Sequence, residues 1–280
     1  MKLFSHTIRL YCRLAGLSLL SCLFSIEAVA GCSRPINAPI LPSGLTVIVK
    51  PNGYAGILPD FLTQVAEKSG CKFVFQLVPK SRQEALFESG QSDMLLTAVR
   101  TSRRDQFGIF IPLVQLRASL ISIENGQIPT TSTTELVARP TLKLLVVRGF
   151  DYGAAYQRIV DDMQQQGRLV VEGDAVSVAR MMRSNPNYVT IMAPTIFSGM
   201  VQTESKLADI VGKIRYEKLD DFPWSESGIY LSSKALNEAD RNLLKTTMEK
   251  IATSDAIWKA YQQYYSPEVV KLGLRPRDSH

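Results

Sequence analysis

A short run, Thr101-Ser-Arg-Arg104, follows the apolar stretch 94–99 and offers this chain's clearest recognition chemistry. A hydroxyl at Thr101 or Ser102 can accept a hydrogen bond from the turn behind it and cap a short helix. That holds Arg104 near the end of a strand, where open α/β sheets place their ligands. A planar fork of five donors there suits a small carboxylate. Thr97, on the strand leading into this loop, adds a hydroxyl. Arg82 opens the preceding helix and is a second candidate cation; the other reading is that it is solvated. Tyr54 lies in the turn-rich stretch 51–56, where its ring could cover a ligand or pack on the surface. Arg148 and Asp151 follow a second apolar run, 142–147. Asp151 could meet a ligand ammonium or simply form a turn. Arg148 could touch an anion or pair with Asp151.

Other chemistry is excluded. The only histidines are His6 and His280, so the body of the chain has no Ser-His or Cys-His pair and no histidine-based zinc site. No cofactor or metal is expected. The formal net charge of +6 comes without a dense basic run or a recognisable nucleic-acid reader, so no nucleic-acid partner is expected.

Residues 1–30 read as an export signal. Lys2, Arg9 and Arg13 precede an apolar run at 14–24, and Ala28-Val-Ala30 fits small-x-small cleavage. The address is periplasmic. Cys12 and Cys22 leave with the signal, and Cys32 and Cys71 remain for an oxidising compartment. A Cys32–Cys71 disulfide accounts for both. The alternative is lipidation at Cys32, since Val29-Ala-Gly-Cys32 is like a lipoprotein box.

The pattern of elements positions these residues. Strands are expected at 45–49, 72–78 and 94–99, with helices at 58–68 and from 79 to Gly90. This βαβαβ order implies a mostly parallel sheet. A strand-like stretch at 110–123 leads away to a second unit: a polar loop at 125–134, a short helix at 135–138, and strands at 142–147, 169–171 and 188–192. The helices of that unit are expected at 154–166, at 175–182 and after Ala193-Pro194. Residues 213–219 lead back to a strand at 228–232 and helices at 238–252 and 255–264. The chain leaves one lobe (31–117), builds another (118–216) and returns (217–280). Two crossings make a hinge with a cleft between lobes, a preferred ligand site.

Gly56-Ile-Leu-Pro-Asp60, Gly90-Gln-Ser-Asp93, Thr101-Ser-Arg-Arg104 with Phe110, and Ser227-Gly-Ile-Tyr230 occur in an order that resembles the polar amino-acid family of extracellular solute-binding proteins. The resemblance implies a two-lobed α/β fold of the type II periplasmic-binding-protein kind. It also implies a monomer that captures an amino acid or organic acid by hinge closure and delivers it to a membrane ABC permease. It casts Arg104 as the carboxylate grip. The sequence departs from the family pattern at Val99, where a Ser or Thr is usual, at Ala193, where an aspartate meets the ligand ammonium, and at Gly149-Phe150. A carboxylate-rich solute is therefore expected to bind better than lysine or arginine. Arg104→Ala is expected to remove binding at little cost to the fold. Two alternatives stand beside the binding protein: an exported enzyme like the cyclohexadienyl dehydratases, with Glu226 as its candidate acid, and a ligand sensor docked on a membrane receptor.

Overall fold

The computed structural model describes residues 31–123 and 130–278; the expected signal and part of the polar loop at 125–134 lie outside them. Residues 31–280 cluster as one compact unit. The chain opens with β1 (Ile36–Ile40) and a small hairpin of β2 (Ile48–Lys50) and β3 (Gly53–Ala55). Next come α1 (Ile57–Ser69), β4 (Phe73–Leu77), α2 (Lys80–Ser89), β5 (Met94–Val99) and α3 (Ser102–Asp105). Helix α1 buries Phe61, Leu62 and Val65 on one face and stops where Gly70 turns left-handed at φ 71°.

The first strand is β1, not residues 45–49. Its sequence, with Pro39 inside, argues against a paired strand. The structure shows why it is tolerated. Ile36 N donates to Lys72 O at 2.7 Å, so alternation turns Ala38 and Ile40 toward the parallel partner β4 and Pro39 away from it. On that far side Asn37 N donates to the Asp93 carboxylate, and the Pro39 carbonyl accepts from the Gln83 side chain.

The stretch 110–123 is two strands, β6 (Gly108–Leu116) and β7 (Ser119–Ile123), in different sheets. The second unit continues through α4 (Thr133–Val137), β8 (Lys143–Val147), α5 (Ala154–Gln165), β9 (Leu169–Glu172), α6 (Ala175–Ser184), β10 (Tyr188–Met192) and α7 (Pro194–Thr203). A 3₁₀ stretch then leads to β11 (Ile214–Glu217). Rather than leading back, β11 pairs antiparallel with β7 and closes a five-stranded sheet of order β11-β7-β10-β8-β9. The return strand is β12 (Ser225–Ser232), followed by α8 (Glu238–Ala252), α9 (Ala256–Tyr264), α10 (Pro267–Gly273) and β13 (Leu274–Pro276). The other main sheet has order β13-β6-β12-β5.

Neither sheet is mostly parallel. The strands next to the crossings enter against their neighbours, so β12 runs antiparallel to both β5 and β6, and β7 to both β10 and β11. A disulfide joins Cys32 to Cys71 with Cα atoms 4.7 Å apart. That bond leaves Cys32 no thiol for acylation. No helix among the described residues is long and apolar enough to cross a membrane.

Candidate functional site

A cavity of about 60 Å³ lies between the two main sheets. From the first it is lined by Thr97 and Val99 on β5 and Ser227 and Gly228 on β12; from the second come Phe150 to Tyr152 after β8 and Ala193 and Thr195 at the start of α7. Lys80 and Arg104 also reach it. Space of this size holds ~4 waters.

Several local devices shape its walls. Thr97 has φ 51°, a left-handed conformation that a β-branched residue rarely adopts. It sits where the β5–β12 register shifts by a residue, which turns its backbone at the cavity edge. Gly149, at φ 87°, lets the loop after β8 pass close to α2; a Cβ there would lie 2.8 Å from Ser81 N. Thr101 accepts from Arg104 N at 3.3 Å, and the Tyr230 hydroxyl donates to Asp105 at 2.8 Å, fixing the turn that carries Arg104 to β12.

Arg104 is only 1% exposed. Its Nε and Nη2 donate to the two oxygens of Glu84 at 3.1 and 2.8 Å. Its Nη1 donates to Val99 O at 2.7 Å and, across the seam, to Asp151 O at 3.4 Å. Lys80 Nζ pairs with the same Glu84 at 2.9 Å and donates to Gln83 at 2.9 Å. These three buried charges carry a net single positive. Burial pushes the Lys80 ammonium down to about 8, with Glu84 opposing and Arg104 assisting. Burial works to raise the Glu84 carboxyl, but Lys80 and Arg104 outweigh it and hold it below the usual range.

Of the residues expected from sequence, Arg104, Thr97 and Asp151 line the cavity. Asp151 holds its own loop through Gly153 N at 2.9 Å and stands 3.9 Å from Arg103. Arg82 is exposed and outside the lining, because the inward positions of α2 are Lys80, Gln83 and Glu84. Arg148 is exposed too. Tyr54 packs edge-on against Phe75, 5.4 Å between centroids, and does not line the cavity. Glu226 is outside as well, paired with Arg100 at 3.1 Å. At position 193 itself the side chain is a methyl, and the Ala193 backbone N–H donates to the Tyr152 hydroxyl at 3.2 Å; the acid in this wall is Asp151.

Lys80 and Glu84 were not among the sequence candidates. Their i, i+4 spacing was visible, but such pairs are usually solvated helix surface. Arg104→Ala is correspondingly no mild change: it would remove both hydrogen bonds that Arg104 gives the buried Glu84, leaving that carboxylate to Lys80 and the half-exposed Arg103.

No protein-family model matches the sequence, and no curated protein matches it. Solved structures do match. An ancestral arginine-binding protein bound to arginine superposes at TM-score 0.66 with 14% identity, covering 83% of this chain and 98% of its own. An amino acid ABC transporter substrate-binding protein from Streptococcus pneumoniae, bound to L-arginine, gives 0.66 with 14% identity, over 82% of this chain and 94% of its own. An ancestral amino-acid-binding protein, a precursor of cyclohexadienyl dehydratase, gives 0.64 with 14% identity, over 83% and 96%. At these identities the likeness establishes architecture, and by architecture this chain has the type II periplasmic-binding-protein fold.

Proposed function

We propose that this protein is an exported substrate-binding protein. It captures a small carboxylated solute, an amino acid or organic acid, between its two lobes by hinge closure and delivers it to an ABC importer in the membrane. The observation that carries this reading is the buried Lys80–Glu84–Arg104 cluster, whose net positive charge faces a cavity lined from both sheets. An excess charge within a desolvated cluster is costly; Asp151, the acid in the lining, stands 3.9 Å from Arg103 rather than in the cluster, and a ligand carboxylate is the group that neutralises the cluster itself.

The roles divide by position. Glu84 already fills the bidentate face of Arg104, so Lys80, with two of its three donors engaged, is the free cationic contact. Thr97 and Thr195 supply hydroxyls along the wall. Asp151, in the lining on the side of the second sheet, is the acid that would meet an ammonium. The charge balance disfavours lysine or arginine as ligand, and the cavity volume favours a small one.

A thermal-shift screen of small amino acids, mono- and dicarboxylic acids, lysine and arginine tests this, since a ligand selective for the folded state raises Tm. Small carboxylates are expected to give the largest shifts. A largest shift from lysine or arginine would overturn the charge argument. Turnover of any compound would move the reading to the dehydratase-like alternative.

A further inference from the structure

Both tryptophans of the chain, Trp224 and Trp258, line a second groove of about 670 Å³, which shares only Leu274 with the cavity. It lies against the two crossings. Arg117 is in the short link between β6 and β7, and Trp224 ends the link between β11 and β12. The Arg117 guanidinium stands 4.6 Å from the Trp224 ring centroid and that of Arg275 stands 4.1 Å from it. Lys271 is a third cation in the lining, which contains no acid.

Contact with the indole face explains where the two guanidiniums lie but not what their N–H groups bond. Each such contact is favourable, but two cations on one ring repel each other. Arg117 Nε is buried without a hydrogen-bond partner, and its Nη2 reaches only the Leu272 carbonyl, at 3.5 Å. Among the described residues, Arg117, Lys271 and Arg275 form no salt bridge. The acid whose charge acts on Arg117 is Asp220, which pairs with Lys218 at 2.8 Å. Burial and the neighbouring Arg275 both hold the Arg117 guanidinium below its ordinary range. Apart from the polar Gln262, the rest of the groove is apolar: Trp258, Pro267, Val270, Leu274 and Pro276.

We infer that this groove is a binding site for a small organic monoanion with an apolar body, its carboxylate held by the edges of Arg117 and Arg275 with Lys271 beside them, and its ring or chain lying along Trp258 and Val270. A stacked guanidinium keeps its donor edge free for planar carboxylate recognition. The inference is independent of what the cavity binds.

The tryptophans provide the readout, since no other indole dilutes the signal. Residues 31–280, disulfide intact, would be titrated with benzoate, benzyl alcohol and inorganic phosphate while indole emission is followed, and affinities would be checked by calorimetry. Benzoate is expected to give a saturable change that the other two do not reproduce. Arg275→Gln, in the short terminal strand and outside the cavity, is expected to weaken benzoate at least fivefold without lowering Tm. An equal response to benzyl alcohol would show an apolar groove with no anion site. A response to phosphate as strong as to benzoate would remove the apolar body from the inference. An unchanged affinity in Arg275→Gln, or no saturable benzoate signal, would overturn it.

Discussion

Glu84→Gln tests whether the charge cluster is dry. The wild-type residue is 5% exposed, and its carboxylate accepts two bonds from Arg104, one from Lys80 and a longer one, at 3.4 Å, from the half-exposed Arg103. Glutamine keeps the shape but removes the charge, and its amide nitrogen must face a guanidinium or an ammonium, donor against donor. Two cations are left in the interior without a counter-ion. Breaking a buried pair this way costs on the order of 3–5 kcal/mol. For a body of this length, 1 kcal/mol corresponds to ~2–4 °C, so Tm should fall by roughly 6–20 °C. Urea denaturation gives the free energy directly, and an unchanged slope would show that the change is in stability. A cycle with Lys80→Met should show coupling of about 1–3 kcal/mol, since the two residues share an ion pair. A loss within about 0.5 kcal/mol, the range of ordinary surface substitutions, would refute the reasoning: the cluster would then be hydrated, and its net charge no argument for an anionic ligand.

Lys80 titrates near 10.5 when unfolded and near 8 when folded, so between those values the unfolded chain holds a proton the folded one has released. Stability should therefore rise with pH across that window, by roughly 2 kcal/mol up to pH 10, and Lys80→Met should flatten the rise in a Tm series. Above pH 10 the trend should reverse, because burial raises the Tyr152 and Tyr156 phenols and the unfolded tyrosines ionise first. Replacing both Cys32 and Cys71 by serine opens a loop spanning 39 residues. The chain-entropy relation gives a loss of about 4 kcal/mol, read as a lower urea midpoint; an unchanged midpoint would show that the N-terminus is held by other contacts. Thr97→Gly removes a left-handed threonine whose strain is worth ~1–3 kcal/mol. It should leave Tm unchanged or higher while weakening ligand binding; a large fall in Tm would mean that the side chain, not the backbone, secures the bulge.

The fold was legible wherever local signals and tertiary packing agreed. Gly70 and Gly90 end their helices in left-handed conformations, β5 and β10 keep the bounds their apolar runs imply, and Asn237 caps α8 through Asp240 N at 2.8 Å. It was illegible where one partner decides. Strand β1 contains a proline and becomes a strand because β4 bonds only its alternate residues. The β6–β7 stretch reads as one run of apolar residues, yet its halves belong to different sheets, and the only trace of the break is polar Arg117 beside Ala118. The short α10 and β13 carry no periodicity long enough to read.

The site divides the same way. Arg104 was found because its loop has a hydroxyl cap that holds an arginine at a strand end, and the cap is there. Lys80 and Glu84 were hidden because α2 packs polar residues inward beside Leu86 and Phe87, so its charged positions mimic a solvated face. That difference changes the chemistry. A free Arg104 would bind carboxylate by its fork, with specificity set by planar geometry. In the proposed site an Arg104 already bonded to Glu84 and Val99 would contribute charge and rigidity instead, and would pass the contact to Lys80, a point charge that accepts varied geometries. Lys80 also titrates near physiological pH. A carboxylate arriving beside it favours the protonated form, so binding above pH 8 should draw in a proton, which calorimetry in buffers of different ionisation enthalpy would detect. Binding with no proton uptake at that pH would place the carboxylate away from Lys80, and the division of roles between the two cations would have to be redrawn.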